Sequence, residues 1–506
     1  MKNLLAVREQ LTSGKVSLQE LAEGYLETIR SRNPEINAFV DVDEADVQKQ
    51  AASIQKKIDN GAAGSLAGTI VGVKDVICEK GKKVTCASHI LHNFESVYEA
   101  TVIKKLREED ALLIGRANMD EFAMGSSTEN SVYGPSKNPV NTEYVTGGSS
   151  GGSAAVVAAD MCDFSLGSDT GGSIRQPASY CGVVGLKPTY SRVSRYGLVA
   201  YASSFDCIGP FAKNVTDAAI MLKHISGHDP MDNSSSDKQV DDYLAEMDTD
   251  NDTLRVGVPE EYFGEGLDEE VRNIIQDQLK ALESNGVKLV PVKLPHMKYG
   301  IATYYILATA EASSNLARFD GIRYGHRADH KKVEEELSAE RAEIKNALKG
   351  KSVAEIEQAM SRVDSQLIRL YKKSRTEGFG TEVKRRILLG TYVLSAGYYD
   401  AYYAKAQKVR RLIKNDFTEA FKKVDVIVSP TAPTTAFKLG ENMNDPLQMY
   451  LNDVYTISAN LAGICGISVP AGTHSNGLPV GIQFMGNAFR ESDILRAARR
   501  IEKLHV

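Results

Sequence analysis

The chain has 506 residues, of which 60 are Lys or Arg and 66 are Asp or Glu, so its formal net charge is −6. Apolar residues make up 42% and charged residues 25%, as in an ordinary soluble protein. The lack of a basic excess argues against a free-standing nucleic-acid binder. The N-terminus reads as an amphipathic helix, and no apolar run is long enough for a membrane span, so we expect neither a signal peptide nor a membrane anchor. Six cysteines without a CxxC pair and nine histidines without an HExxH motif favour a reducing cytoplasm and no bound metal.

Helices are predicted for the first 60 residues. Ser17 and Glu20 have the spacing of a capping box ahead of the apolar positions Leu21, Tyr25 and Ile29. From about residue 68, short apolar runs alternate with helical stretches, which predicts an α/β fold around a buried sheet. The predicted strands are 69–73, 112–115, 164–167, 254–258, 287–292 and 424–428.

Two segments are predicted to be peripheral. Residues 228–252 are acidic, polar and poor in apolar side chains, which indicates a surface linker. Residues 331–374 have the pattern of a helical hairpin, with Gly350 ending the first helix and a capping box at Ser352 and Glu355. We interpret this hairpin as a surface feature; an arm that docks a partner is the alternative. Its predicted seam consists of Val353, Ile356, Met360, Val363, Leu367 and Leu370.

The most unusual stretch is rich in glycine and serine, at 146–153 and again at 169–177. A phosphate-binding P-loop would need a lysine after the glycines, and none is present; the G-x-G-x-x-G pattern is also missing. Residues 147–151 match the G-x-S-x-G pattern of a nucleophile elbow. That elbow must follow a buried strand, whereas the preceding residues 138–143 are turn-like. Neither chemistry is therefore indicated.

A serine nucleophile activated by a lysine is the remaining chemistry. Such a lysine must be neutral, so burial has to lower its pKa from about 10.4. Lys74 ends an apolar strand within residues 68–75, and the backbone of that strand would carry it into the core. A lysine at a strand end is by itself more often a surface residue, and glycine-rich loops are by themselves more often connectors. Their combination strengthens the functional interpretation of both.

Residues 147–178 (GGSSGGSAAVVAADMCDFSLGSDTGGSIRQPA) are similar to the defining motif of the amidase signature family, and GVKD at 72–75 supplies the upstream lysine of that family. The resemblance covers nearly the whole chain. It extends to 311–325, 377–392, 429–441 and 478–486, where the sequence resembles the glutamine-hydrolysing subunits of tRNA-dependent amidotransferases within this family.

This resemblance implies an α/β fold with a mixed central β-sheet covered by helices on both faces, in a single domain over 1–506. Its expected parts are N-terminal helices at about 1–60, a catalytic core at about 61–225, the acidic linker 228–252, the hairpin insertion at about 331–374, and a C-terminal part, 380–506, that completes the substrate pocket.

The resemblance also implies the catalytic residues. Ser173 would be the nucleophile, Ser149 the bridging serine and Lys74 the base, with a cis peptide bond between Gly148 and Ser149. Asp169 and Arg175 flank the nucleophile; we expect them to fix its loop by charge-assisted hydrogen bonds rather than to act in the chemistry. We expect Ser150, Ser153 and Ser168 only to form the loops. The oxyanion hole would consist of the backbone N–H groups of Thr170, Gly171, Gly172 and Ser173.

Free glutamine carries an α-carboxylate and an α-ammonium group, so its site needs one cation and one anion. An arginine suits the carboxylate because its planar fork binds both oxygens. The resemblance assigns these roles to Arg386 and Asp453, with Tyr304 lining the pocket. Arg385 is the close alternative to Arg386.

The resemblance further implies partners. Ammonia from glutamine would pass to a tRNA-binding subunit that uses ATP and Mg²⁺ to activate Glu-tRNA(Gln) for conversion to Gln-tRNA(Gln), and a small third subunit would clasp the two. We expect this chain itself to hold no cofactor, to contact tRNA mainly through its partner and to be cytoplasmic. Two alternatives stay open: an independent amidase acting on a simple amide, and a silent scaffold. An intact triad disfavours the scaffold, which has no need for a buried lysine.

Overall fold

The computed structural model describes residues 4–249, 254–443 and 445–504. Their strands form one eleven-stranded sheet in the order β1-β3-β2-β4-β6-β5-β10-β11-β9-β7-β8. The strands are β1 Phe39–Asp41, β2 Ile70–Lys74, β3 Leu112–Ala117, β4 Phe164–Asp169, β5 Val184–Lys187, β6 Cys207–Ala212, β7 Arg255–Pro259, β8 Lys288–Val292, β9 Val426–Pro430, β10 Cys465–Thr473 and β11 Pro479–Gly486. All six predicted strands are present, whereas β1, β5, β6, β10 and β11 were not predicted.

Helices occupy much of the remaining chain. In order they are α1 Leu4–Thr12, α2 Leu18–Ile36, α3 Glu44–Asp59, α4 Thr101–Glu108, α5 Gly151–Ala158, α6 Arg175–Cys181, α7 Val215–Ile225, α8 Tyr243–Met247, α9 Glu269–Ser284, α10 Gly300–Asn315, α11 His330–Ala347, α12 Val353–Met360, α13 Gln366–Gly378, α14 Thr381–Leu394, α15 Lys405–Ala420, α16 Pro446–Leu451, α17 Ile457–Ala462 and α18 Glu491–Leu504. The predicted N-terminal helices and both capping boxes are confirmed.

The sheet is buried on both faces. Successive side chains of a strand point to opposite faces, so Ile70 and Leu112 pack with α2, α3 and α5, whereas Val71 and Leu113 pack with α4 and α7. Strand β2 is parallel to both neighbours, while β5, β6, β10 and β11 pair antiparallel. The predicted α/β fold with a mixed, doubly covered sheet is confirmed.

The register of the parallel strands positions the site. Because β2 and β4 run side by side in the same direction, their carboxyl ends meet at one edge of the sheet. Lys74 is the last residue of β2, and Ser168 and Asp169 are the last two of β4. The hairpin of β10 and β11 pairs with β5 on one side and β9 on the other, so it joins the two parts of the sheet next to this edge.

The predicted hairpin at 331–374 differs from the observed structure in its second arm. That arm consists of two helices, α12 and α13, because the chain breaks at 361–365, where the Ser365 side chain caps α13 by accepting the Ile368 N–H. Leu370 packs in a small core formed with α11, as the seam predicts. Val353 and Leu367 are exposed, so the seam prediction was wrong for these two residues.

The segment 228–249 is more than a surface linker. Tyr243 and Met247 of α8 are buried in the main core, and the carboxylate of Asp229 accepts hydrogen bonds from Thr101 and Ser194. The linker prediction was therefore wrong here; residues 250–252 lie outside the described residues. Among the helices of the described residues, none combines the length and the hydropathy needed to cross a bilayer.

Candidate active site

Lys74 is fully buried at the end of β2, surrounded by three serine hydroxyls. Its Nζ atom lies 2.8 Å from Ser149 Oγ, 2.8 Å from Ser150 Oγ and 2.9 Å from Ser168 Oγ. Ser149 and Ser150 precede α5, and Ser168 lies at the end of the adjacent strand. The expectation that Ser150 and Ser168 only form loops is therefore wrong, because both contact Lys74 directly.

The environment of Lys74 favours the neutral amine. Burial lowers the pKa of Lys74 to about 7, against the opposing effect of the buried carboxylates of Asp120, Asp169 and Asp206. The Ser150 hydroxyl donates its own proton to the Ser168 carbonyl at 3.0 Å, so it can only accept from Lys74. One N–H of the amine is thereby directed away from Ser149.

Ser173 lies beside this lysine–serine pair. The peptide bond between Gly148 and Ser149 is cis, as the resemblance implies, and the Ser150 N–H donates to the Ser173 carbonyl at 3.2 Å. Ser173 is 8% exposed, whereas Ser149 is fully buried. Among the hydrogen bonds of the described residues, none joins the Ser149 and Ser173 hydroxyls. The structure thus brings Lys74 and Ser149 into contact and places Ser173 next to them.

Asp169 and Arg175 form a buried pair beneath the nucleophile turn. Two guanidinium nitrogens of Arg175 donate to the two oxygens of Asp169, each at 3.1 Å. Although burial alone would raise it, the Arg175 charge lowers the pKa of Asp169 to about 2. Arg175 also donates to Gln483 and to the Thr456 carbonyl. These contacts are those that a loop-fixing role requires, and they tie the turn to the C-terminal part of the chain.

The turn at 170–173 presents backbone N–H groups, but not all are free. The Gly172 N–H donates to Asp169 Oδ1 at 2.8 Å, so this group is already used within the protein. That contact argues against the predicted role of Gly172 as an oxyanion donor in this conformation. Thr170, Gly171 and Ser173 remain the candidate donors.

Arg386 lies on α14 in a box of aromatic rings. Its guanidinium carbon lies 5.4 to 5.8 Å from the ring centroids of Tyr201, Tyr305 and Tyr450. Its Nη1 atom donates to the Tyr201 hydroxyl at 2.9 Å, and its Nε atom donates to Glu382 at 2.8 Å. The neighbouring Arg385 has a side chain that is 41% exposed. Of the two arginines, Arg386 is therefore the one that the fold directs inward.

Asp453, the predicted anion of the substrate site, is buried. Its Oδ2 atom accepts a hydrogen bond of 2.6 Å from Ser126, and burial raises the pKa of Asp453 to about 7. Three residues later, the Thr456 hydroxyl donates to the Gly171 carbonyl at 2.7 Å. Asp453 is thus held close to the nucleophile turn.

Tyr304 on α10 packs directly against the turn. A Cβ atom added to Gly171 would lie 2.5 Å from Tyr304 Cζ, so only glycine allows this approach. The Tyr304 ring also contacts the rings of Phe205 and Tyr305, and Tyr305 in turn faces Arg386. The rings of Tyr304 and Tyr305 thus connect the turn that carries Ser173 to Arg386, the predicted carboxylate-binding residue.

Several side chains of this region were missed by the sequence analysis. They contact predicted site residues but were not named as candidates: Ser126, Tyr201, Tyr305, Glu382, Tyr450 and Thr456. The contact of Ser168 with Lys74 was also missed, although Ser168 directly follows a predicted strand in the middle of the glycine-rich motif. The described residues contain no group of three or more His, Cys, Asp or Glu side chains arranged to hold a metal ion.

A buried lysine in contact with a serine, beside a second serine on a glycine-rich turn, is the arrangement of a serine amidohydrolase. The protein-family model described as Amidase matches residues 20–495. The chain therefore belongs to the amidase family, and the resemblance to amidase signature enzymes is confirmed.

The similar proteins are more specific. The A subunit of glutamyl-tRNA(Gln) amidotransferase from Desulfatibacillum aliphaticivorans is 50% identical, covering 98% of this chain and 96% of its own length. That of Bacillus licheniformis is 52% identical, covering 97% and 94%. The crystal structure of the corresponding Thermotoga maritima protein superposes with a TM-score of 0.76 at 43% identity, covering 98% and 94%. A peptide amidase from Stenotrophomonas maltophilia gives 0.77 at 26% identity, covering 99% and 96%.

Proposed function

We propose that this chain is the glutamine-hydrolysing subunit of a tRNA-dependent amidotransferase. The observation that carries the proposal is the contact between buried Lys74 and Ser149 beside the Ser173 turn, because it supplies a base for an otherwise weak nucleophile. The names of the similar proteins support the reaction class. The buried pair Arg386 and Asp453 supports glutamine as the substrate, because a neutral amide needs neither charge.

In the proposed mechanism, neutral Lys74 accepts a proton from Ser149 while Ser149 accepts one from Ser173. The freed Ser173 oxygen attacks the δ-carbon of glutamine, and the carbonyl oxygen becomes an oxyanion held by N–H groups of the turn. Substrate binding would first bring the Ser173 hydroxyl within hydrogen-bond distance of Ser149; catalytic hydrogen bonds often tighten in this way.

The same relay then runs in reverse. Lys74 returns its proton through Ser149 to the departing nitrogen, so ammonia leaves and glutamate is attached to Ser173 as an ester. Water attacks this ester, with the lysine–serine pair again accepting the proton; the bond to Ser173 then breaks, the proton returns through Ser149 to the Ser173 oxygen, and glutamate is released. Ammonia is the product that a second active site would consume.

We propose two partner subunits, since the similar proteins are named as one subunit of a larger enzyme. One would bind tRNA and activate Glu-tRNA(Gln) with ATP and Mg²⁺, and a smaller one would clasp the pair. This chain would hold no cofactor of its own and would act in the cytoplasm.

The test is ammonia release from glutamine, asparagine and butyramide, a neutral amide of matching length. The purified chain is assayed alone and with its partner subunits, with Ser173→Ala as the blank. Release selective for glutamine is expected, and Lys74→Met should lower it by about 10³-fold or more without lowering the melting temperature substantially. Preference for butyramide would instead favour an independent amidase, and silence in every assay would favour a scaffold.

A further inference from the structure

Glu121 lies on a buried loop between β3 and α5 that the proposed mechanism does not use. The loop, residues 118–130, contains three non-glycine residues in the left-handed backbone region: Phe122 at φ 50°, Ala123 at 60° and Thr128 at 60°. For residues with a Cβ atom this conformation is energetically unfavourable, and it persists where surrounding contacts impose it. The conformation of this loop is therefore fixed by what it contacts.

The Glu121 carboxylate, on a residue that is 6% exposed, is directed at the start of helix α14. The Gly380 N–H, immediately before the helix, donates to both of its oxygens, at 2.9 and 3.1 Å. The Ser88 hydroxyl donates to the same carboxylate. Glu121 thus caps α14 from a position 259 residues away in the chain, and a carboxylate at a helix N-terminus is also favoured by the helix dipole.

Glycine at 380 is what allows this contact. A Cβ atom there would overlap Glu121 Oε2. Gly380 has no side chain to accept hydrogen bonds from the first turn, so the bond from its own N–H to Glu121 is the side-chain contact that holds the start of the helix. The position of the first turn of α14 is therefore set by the 118–130 loop.

Helix α14 carries Arg386 and its partner Glu382 within its first two turns. The 118–130 loop also contacts Asp453, the second proposed substrate-binding residue, because the Ser126 hydroxyl donates to the Asp453 carboxylate at 2.6 Å. It also contacts the bridging serine, since the Asp120 N–H donates to the Ser149 carbonyl at 3.2 Å. Gln176 adds a second link, because its side chain donates to the Ser126 carbonyl and accepts from the Gly148 N–H. One loop thus holds both proposed charge-binding residues.

We infer that Glu121 is a positioning residue that places Arg386 for the α-carboxylate of the substrate by capping α14. This inference rests on the proposed role of Arg386. Loss of the cap would shift the first turns of the helix, and the guanidinium fork would no longer meet both carboxylate oxygens. The expected defect is in recognition of the carboxylate and not in the lysine–serine chemistry.

The test measures binding to full-length Ser173→Ala protein by calorimetry, with L-glutamine and with L-glutaminamide, in which a carboxamide replaces the α-carboxylate. Adding Glu121→Met should weaken glutamine binding by about tenfold and leave glutaminamide binding within about twofold. Glu121→Gln keeps a carbonyl acceptor for Gly380 and should restore glutamine affinity to within about threefold. If Glu121→Met does not fold, Gly380→Ala tests the same contact from the helix side.

The matched control is Glu129→Met, which removes a second buried glutamate of the loop, one that accepts from the Gly440 N–H at 2.7 Å. It should leave both affinities unchanged. Equal losses for both ligands, or an unchanged glutamine affinity in Glu121→Met and Gly380→Ala, would overturn the inference. Arg386→Ala tests the role of Arg386 separately from that of Glu121. If this variant leaves glutamine binding unchanged, the proposed role of Arg386 fails, and the inference about Glu121 fails with it.

Discussion

Lys74 and Ser150 are joined by a 2.8 Å hydrogen bond in which the serine is the acceptor. The Ser150 hydroxyl donates its proton to the Ser168 carbonyl, so its bond with Lys74 must use an N–H of the amine. A neutral amine has two N–H groups and one lone pair. With Ser150 and Ser168 accepting the two N–H groups, the lone pair is left for the proton of Ser149.

Ser150→Ala should therefore lower kcat for glutamine by about 10- to 100-fold, the equivalent of one buried hydrogen bond to the catalytic amine. KM should change little, because the hydrogen bonds of Ser150 go to Lys74, Ser168 and the Ser173 carbonyl and not to a substrate-binding residue. Ser153→Ala is the matched control: Ser153 donates to the Leu166 carbonyl, away from Lys74. Steady-state ammonia release measures both, and equal effects of the two variants would contradict the assigned role of Ser150.

The pH dependence of kcat/KM should distinguish glutamine from a neutral amide. Lys74 must be neutral and Asp453 must be ionised, and burial brings the pKa of each to about 7. Both requirements fail as pH falls, so log kcat/KM for glutamine should drop below pH 7 with a slope approaching two. For butyramide, which needs no Asp453 charge, the slope should be one.

Asp453→Asn provides the check on this assignment. It should reduce the glutamine slope to one and leave the butyramide profile unchanged. A slope of two that persists in Asp453→Asn would show that a different group titrates with Lys74.

Arg386 and Arg385 should behave differently although they are adjacent. Arg386→Ala should raise the glutamine KM by about tenfold or more, because a charge-assisted contact to the α-carboxylate is lost. Arg385→Ala should change KM by less than about twofold, because the Arg385 side chain is 41% exposed and Glu382 keeps its ion pair with Arg386. Hydrolysis of butyramide should respond to neither, and equal KM effects in the two variants would assign the carboxylate elsewhere.

Arg175→Met should destabilise the fold by about 3–5 kcal/mol, because it leaves the Asp169 carboxylate buried without its cation. This loss of unfolding free energy should be smaller at acid pH, since Asp169 of the variant can then be protonated and a neutral carboxyl needs no cation. Urea unfolding at pH 5 and pH 8 measures this. The control is Arg30→Met, which removes two exposed ion pairs, those of Arg30 with Glu23 and Glu44. It should change the unfolding midpoint only slightly at either pH.

The sequence predicted what local patterns encode. The run ending at Lys74 and the glycine-rich motif indicated the serine–lysine pair, and alternating apolar runs indicated six of the strands. Buried strands such as β10 were missed, because short apolar runs interrupted by glycine and proline have no clear period. The hairpin seam failed at Val353 and Leu367, since spacing alone does not show where a helix breaks.

Contacts between segments that are distant in the sequence could not be predicted from it. Ser126 and Asp453 are separated by 327 positions and Ser88 and Gly378 by 290, and nothing in either local sequence indicates its partner. The same holds for the hydrogen bond of Gly172 to Asp169, which removes one expected oxyanion donor: it depends on the conformation of a turn and not on its composition.

Arg175 binds Asp169 from its own turn but also Gln483 of strand β11, 308 positions later. Proteins are synthesised from the N-terminus, so Lys74, Ser149 and Ser173 leave the ribosome long before that strand exists. Until then the guanidinium lacks its partners in the last quarter of the chain. The nucleophile turn therefore obtains its complete set of hydrogen bonds only after most of the chain has been synthesised.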